Sequence, residues 1–142
     1  MLLLHDSLFK HVTDGILKRE KITVKKVWAP GLNDAFNFVS AFSSNPKVVI
    51  IHSGTNDLGN YSNENIVELV NNIHEILSIR GIKMVYSEIV PRMDELDFNA
   101  QVVNALVYKS IANNTGLPFQ RMSVFIAKVL ATINYTWKME FI

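Results

Sequence analysis

The chain has 142 residues, with 49% apolar and 19% charged side chains and a formal net charge of +1. That composition fits one globular domain with a real core and excludes a disordered chain. There is no Cys, which excludes disulfides and thiolate metal sites. The Lys and Arg residues form no basic stripe, so neither nucleic acid nor an anionic membrane is expected as a partner. "MLLLHDS" is too short an apolar run for a signal peptide, and nothing approaches the ~20 apolar residues of a membrane span. Together with the lack of Cys, this points to the cytoplasm.

In chain order, "MLLL" is a short apolar strand. Residues 8–19 follow as a helix, with Leu8, Val12 and Ile16 spaced by four. The β-branched "KITVKKVW" (21–28) is a strand. "NDAFNFVSAF" (33–42) is a helix with Phe36, Val39 and Phe42 on one face. "KVVIIHS" (47–53) is a continuous apolar strand of the kind covered on both faces in a parallel sheet. Residues 63–79 form the clearest helix, striped by Ile66, Leu69, Val70, Ile73, Ile76 and Leu77. "IKMVYSEIV" (82–90) is a strand ended by Pro91, and 98–113 is a helix carrying Val102, Val103, Leu106, Val107 and Ile111, closed by Gly116.

Alternation of strands and helices implies a parallel sheet between two helical layers. Ligands of such sheets bind beyond the carboxyl ends of the strands. The first three ends read "HDSLF", "APGLND" and "SGTNDLG". Ser7 offers a hydroxyl and a backbone N–H at a helix start. Gly31 allows close approach to its N–H, and the Asn56 amide is an uncharged donor. One nucleophile with three donors is what acyl transfer needs.

"HDSL" with Ser7, "PG" with Gly31 and "GTND" with Asn56 resemble the first three sequence blocks of the SGNH (GDSL-type) hydrolases, in order and rough spacing. The resemblance spans about residues 1–117. It implies a three-layer α/β/α, flavodoxin-like fold and a serine esterase. Ser7 would be the nucleophile, and the N–H groups of Ser7 and Gly31 with the Asn56 amide would form the oxyanion hole. Asp6, Gly54 and Asp57 would support them. The substrate would be a small acyl ester, with no cofactor and no metal. "VIIHSGTNDL" is also similar to esterase-like domains of some animal retrotransposons.

Two departures stand out. His5 occupies a position where the family usually has Gly. The family also supplies its general base from a late Asp-x-x-His block, whereas no His follows His74 here. Of the four histidines, His5, His11, His52 and His74, none is well placed as a substitute. The domain therefore reads as residues 1–119, followed by an aberrant tail over 120–142. Back-translating "NYTWKMEFI" (134–142) and reading from the third base permits Asp-Gly-Ile-His. A frameshift after about Phe119 is thus expected to have replaced the true C-terminus, leaving a chain that works poorly or not at all.

Plainer readings compete. Asp6-Ser7 is also a helix cap. Gly31 and Asn56 are also turn residues, and Asp57 is expected to accept loop N–H bonds. His52 and His74 are expected to be structural, Asp94, Glu95 and Asp97 a solvated loop, and Trp28 and Phe36 core. A non-catalytic ligand- or partner-binding domain of the same fold is the first rival. A nucleotide-binding flavodoxin-like domain is the second, opposed by the absence of a glycine-rich phosphate loop.

Overall fold

The computed structural model describes residues 1–7 and 23–115. Four strands form one parallel sheet: β1 (Leu2–His5), β2 (Lys25–Trp28), β3 (Val48–His52) and β4 (Lys83–Tyr86). Three helices accompany them: α1 (Leu32–Ala41), α2 (Asn63–Ile79) and α3 (Asp97–Thr115). The strand order is β2-β1-β3-β4. The chain steps from β1 outward to β2, then returns to the other side of β1 as β3. That reversal is the topological switch point of a doubly wound sheet, and it lies between β1 and β3. The expected helix over 8–19, the Gly116 stop and the tail over 120–142 lie outside the described residues.

Alternation along the strands divides the core. Leu2, Leu4, Val49, Ile51 and Tyr86 face a layer supplied by α1, α2 and α3. Leu3 and Ile50 face the opposite side, with Val85 against them. Leu2–His5 and Val49–His52 are buried without a break, the pattern of strands inside a parallel sheet. Burying each Leu, Ile or Val stabilises the fold by about 1.5–3 kcal/mol before chain entropy is counted.

α2 has the bounds its stripe predicts, with Ile66, Val70, Ile73 and Leu77 buried. Ser62 caps its start by accepting the Asn65 N–H. Gly81, at φ 68°, stops it: the Gly81 N–H donates to the Ser78 carbonyl and the Ile82 N–H to the Leu77 carbonyl, each at 2.9 Å. Arg80 then reaches back to the carbonyls of Phe42 (3.1 Å) and Ser44 (2.7 Å), fastening the end of α1 to the end of α2. Along α3, Ala100, Val103, Val107 and Ile111 are buried, while Leu106 turns outward.

Three expectations need correction. Trp28 is 52% exposed, because β2 is an edge strand among the described residues and its last residue leans over the rim. Ring edge contact with His5, at 5.7 Å between centroids, holds it there. The strand expected over 82–90 pairs only over Lys83–Tyr86. Beyond that point Asn104 of α3 takes over the backbone, accepting the Ile89 N–H at 2.8 Å and donating to its carbonyl at 2.9 Å. Leu106 is not part of the α3 core stripe, because a stripe centred on Val103, Val107 and Ile111 leaves position 106 at its flank, 37% exposed.

Candidate active site

The three strand ends singled out by sequence lie side by side, because β1 pairs with both β2 and β3. Register places His5 between Trp28 and His52. The Asp6 N–H donates to the His52 carbonyl and the Ala29 N–H to the His5 carbonyl, at 3.0 and 2.9 Å. The sheet pattern thus continues one residue past β1, and Ser7 is the next residue, exposed at the carboxyl rim. Asp6 is buried beneath it.

The loop after β3 grips the turn after β2, spanning the end of β1. The Ser53 hydroxyl donates to the Ala29 carbonyl at 2.6 Å. The Asn56 side-chain amide donates to the Pro30 carbonyl at 2.7 Å. Asp57 accepts the Leu32 N–H at 3.0 Å. Ala29, Pro30 and Leu32, on either side of Gly31, are therefore held by three residues of one loop, and Asn56 and Gly31 are brought together.

Gly54 makes that loop geometry accessible. Its φ of 131° is unfavourable for a side chain, and a Cβ there would sit 3.2 Å from both Ile89 Cδ1 and the Tyr86 hydroxyl. Gly31 is crowded for a different reason. A Cβ would sit 3.1 Å from Asp57 Oδ1 and 3.5 Å from Asp34 Oδ2, so the turn is flanked by two carboxylates. Asp34 accepts the Gly31 N–H at 3.1 Å, so the third residue of α1 reaches back over its start. Sequence reasoning passed over this contact, although the Gly-x-x-Asp spacing of "GLND" carries the signal.

Electrostatics follow burial. Desolvation raises the Asp57 pKa, helped by the charges of Asp34 and Asp6 and opposed by the Leu32 N–H. His52 is 4% exposed at the end of β3, and its Nδ1 lies 2.6 Å from the Ser87 hydroxyl. Its Nε2 lies 3.8 Å from Asp6 Oδ1. Burial lowers the His52 pKa, the Asp6 charge raises it, and His5 lowers it further. The ring is thus a buried neighbour of the residue preceding Ser7, tied to three strand ends. His74 lies on α2 within 3.3 Å of the Ser78 hydroxyl, and burial lowers its pKa. The acidic stretch after β4 is organised by Arg92, which pairs with Asp94, while Asp97 accepts the Arg92 N–H. Among the described residues no group of His, Asp or Glu is arranged to hold a metal ion. No described helix is long and apolar enough to cross a membrane.

Neither a family model nor a curated protein matches the sequence. Solved structures do match. A GDSL-like lipase from Bacteroides thetaiotaomicron superposes with a TM-score of 0.68 at 16% identity, over 83% of this chain and 65% of that one. A member of the lipolytic G-D-S-L family from Veillonella parvula gives 0.67 at 16% identity, over 94% of this chain and 82% of the other. An acetyl xylan esterase gives 0.66 at 16% identity, over 93% and 83%. This chain therefore spans slightly under two thirds of the length of the first of them. The fold is that of the SGNH (GDSL-type) hydrolases, as the sequence blocks imply.

Proposed function

We propose that this chain is an SGNH-type serine esterase impaired by the loss of its general base, acting on a small acyl ester such as an acetyl ester. Ser7 Oγ attacks the ester carbonyl. The N–H groups of Ser7 and Gly31 and the Asn56 amide stabilise the charge that develops on oxygen. The observation that carries this reading is the convergence of Ser7, Gly31 and Asn56 at the switch point of the sheet, with Asn56 bonded to the peptide that precedes Gly31. Asp6, Gly54 and Asp57 support the three.

A base must take the serine proton for this attack to be fast at neutral pH. No His follows His74, and His5 and His52 are buried. Residual turnover then rests on binding and on the oxyanion donors alone. The tail over 120–142 is, in this reading, the product of a frameshift. Sequencing the gene through and beyond the tail tests that part directly. An alternative frame running on past Asp-Gly-x-His supports it, and a closed frame removes it.

Purified protein is expected to hydrolyse p-nitrophenyl acetate slowly, and Ser7→Ala and Asn56→Ala each to abolish the excess over buffer. Equal rates in wild type and Ser7→Ala would end the enzymatic reading. A non-catalytic binding domain of the same fold is the second reading, favoured by the carboxylate that occupies the Gly31 N–H. It predicts ligand binding that survives Ser7→Ala without turnover.

A further inference from the structure

We infer that Asp34 is a displaceable occupant of the oxyanion site, a carboxylate that must leave the Gly31 N–H before an ester can be activated there. This inference rests on the esterase reading and extends it to a residue that the reading does not use.

The geometry is specific. An oxyanion donor works at roughly 2.7–3.1 Å from the charged oxygen. Asp34 Oδ2 sits 3.1 Å from Gly31 N, so a negatively charged oxygen already stands where the reacting one would be stabilised. The neighbouring donors are differently engaged. Asn56 donates to the Pro30 carbonyl, which an amide with two N–H groups can do while keeping a second donor. The Leu32 N–H is held by Asp57, which is 3% exposed and cannot swing away without leaving that donor buried and unsatisfied. Asp34 is under no such restraint, because it is exposed on the first turn of α1 and can rotate into water. One carboxylate is therefore structural and the other is a competitor, although both flank the same glycine.

A purely structural capping role makes the opposite prediction for activity. Removing a cap loosens the start of α1 and lowers or leaves unchanged any rate that depends on Gly31. Removing a competitor raises that rate.

The test uses the full chain and p-nitrophenyl acetate, with Asp34→Ala, Asp34→Asn, Asp34→Glu and Ser7→Ala/Asp34→Ala. Asp34→Ala is expected to raise the Ser7-dependent rate roughly three- to tenfold, the worth of one freed solvent-exposed hydrogen-bond donor. Asp34→Asn, which keeps the shape and loses the charge, is expected to give a smaller rise. Asp34→Glu can still reach back to the capped N–H and is expected to restore the low rate. Hydrogen exchange at the Gly31 amide should quicken in Asp34→Ala and slow again in Asp34→Glu. A Ser7-dependent rate that is unchanged or lower in both Asp34→Ala and Asp34→Asn overturns the inference and leaves the esterase reading standing. Absence of any Ser7-dependent rate in wild type and all variants overturns both.

Discussion

Asp57 of the loop after β3 accepts the backbone N–H of Leu32, at the start of α1, across 3.0 Å. The two belong to strand ends that are not neighbours in the sheet, since β1 runs between them. With the Ser53–Ala29 and Asn56–Pro30 bonds, this contact makes a clamp over the end of β1. Ser7 emerges next to that clamp, so it sets the distance between the nucleophile and the two donors proposed for it.

Breaking the clamp at Asp57 should be measurable in stability. Asp57→Ala leaves the Leu32 N–H buried without an acceptor and is expected to cost about 1–3 kcal/mol in urea denaturation. Asp57→Asn keeps an acceptor and is expected to stay within about 1 kcal/mol of wild type.

The pH dependence of that pair has a definite sign. Burial raises the Asp57 pKa in the folded state, so the folded chain binds the proton more tightly than the unfolded one. This contribution is fully present below the ordinary aspartate value and is lost as pH rises through the folded value. Wild type should therefore gain on Asp57→Asn as pH is lowered from 7 to 4. A stability difference that stays constant over that range would contradict the assignment.

His52 carries the opposite sign. Burial lowers its pKa, so the neutral ring is favoured in the fold. Its contribution is present above the ordinary His value of 6.5 and is lost as pH falls through the depressed folded value. Denaturation at pH 7.5 and 5.5 should show wild type losing more stability than His52→Gln on acidification. An equal loss in both would place the acid sensitivity elsewhere.

Two glycines with positive φ should separate strain from crowding. Gly81, at φ 68°, would place a Cβ in open space, and Gly81→Ala is expected to cost about 1 kcal/mol. Gly54, at φ 131°, adds close contacts with Ile89 and Tyr86, so Gly54→Ala should cost more, about 2–4 kcal/mol. Similar midpoints for both variants would contradict the tight packing under the loop that carries Asn56.

The Tyr86 hydroxyl is buried with no hydrogen-bond partner among the described residues, and burial raises its pKa. Deleting a group that is not bonded removes a desolvation cost rather than an interaction. Tyr86→Phe is expected to be neutral or stabilising by up to about 1 kcal/mol in thermal denaturation. A clear loss of stability would mean that the hydroxyl has a partner in solution.

Much of the fold was readable from the sequence because hydrophobic period and cap chemistry agreed. Ile66 to Leu77 repeat at helical spacing between Ser62 and Gly81, and α2 has the bounds expected of it. Alternation of strands and helices implied a parallel sheet, which set Ser7, Gly31 and Asn56 at strand ends on one rim; the strand order that makes those ends neighbours comes from the structure. Trp28 was misread because an aromatic at a strand end looks the same whether its strand is central or at the edge. The contact of His52 with Ser87 could not be read either, since it depends on β3 pairing with β4 in a register that places residues 35 apart side by side. The Asp34–Gly31 contact is legible in the Gly-x-x-Asp spacing of "GLND", which sets a carboxylate one helical turn from the glycine N–H.

The most direct measurement is the mass of the protein after prolonged exposure to p-nitrophenyl acetate, with peptide mapping. A serine that attacks without a base also waits for water to release its acyl group, so the acyl-enzyme should accumulate. One acetyl group on Ser7, matched by one equivalent of p-nitrophenol and absent from Ser7→Ala, is the expected result. Unmodified Ser7, with the same p-nitrophenol release in both proteins, would contradict it.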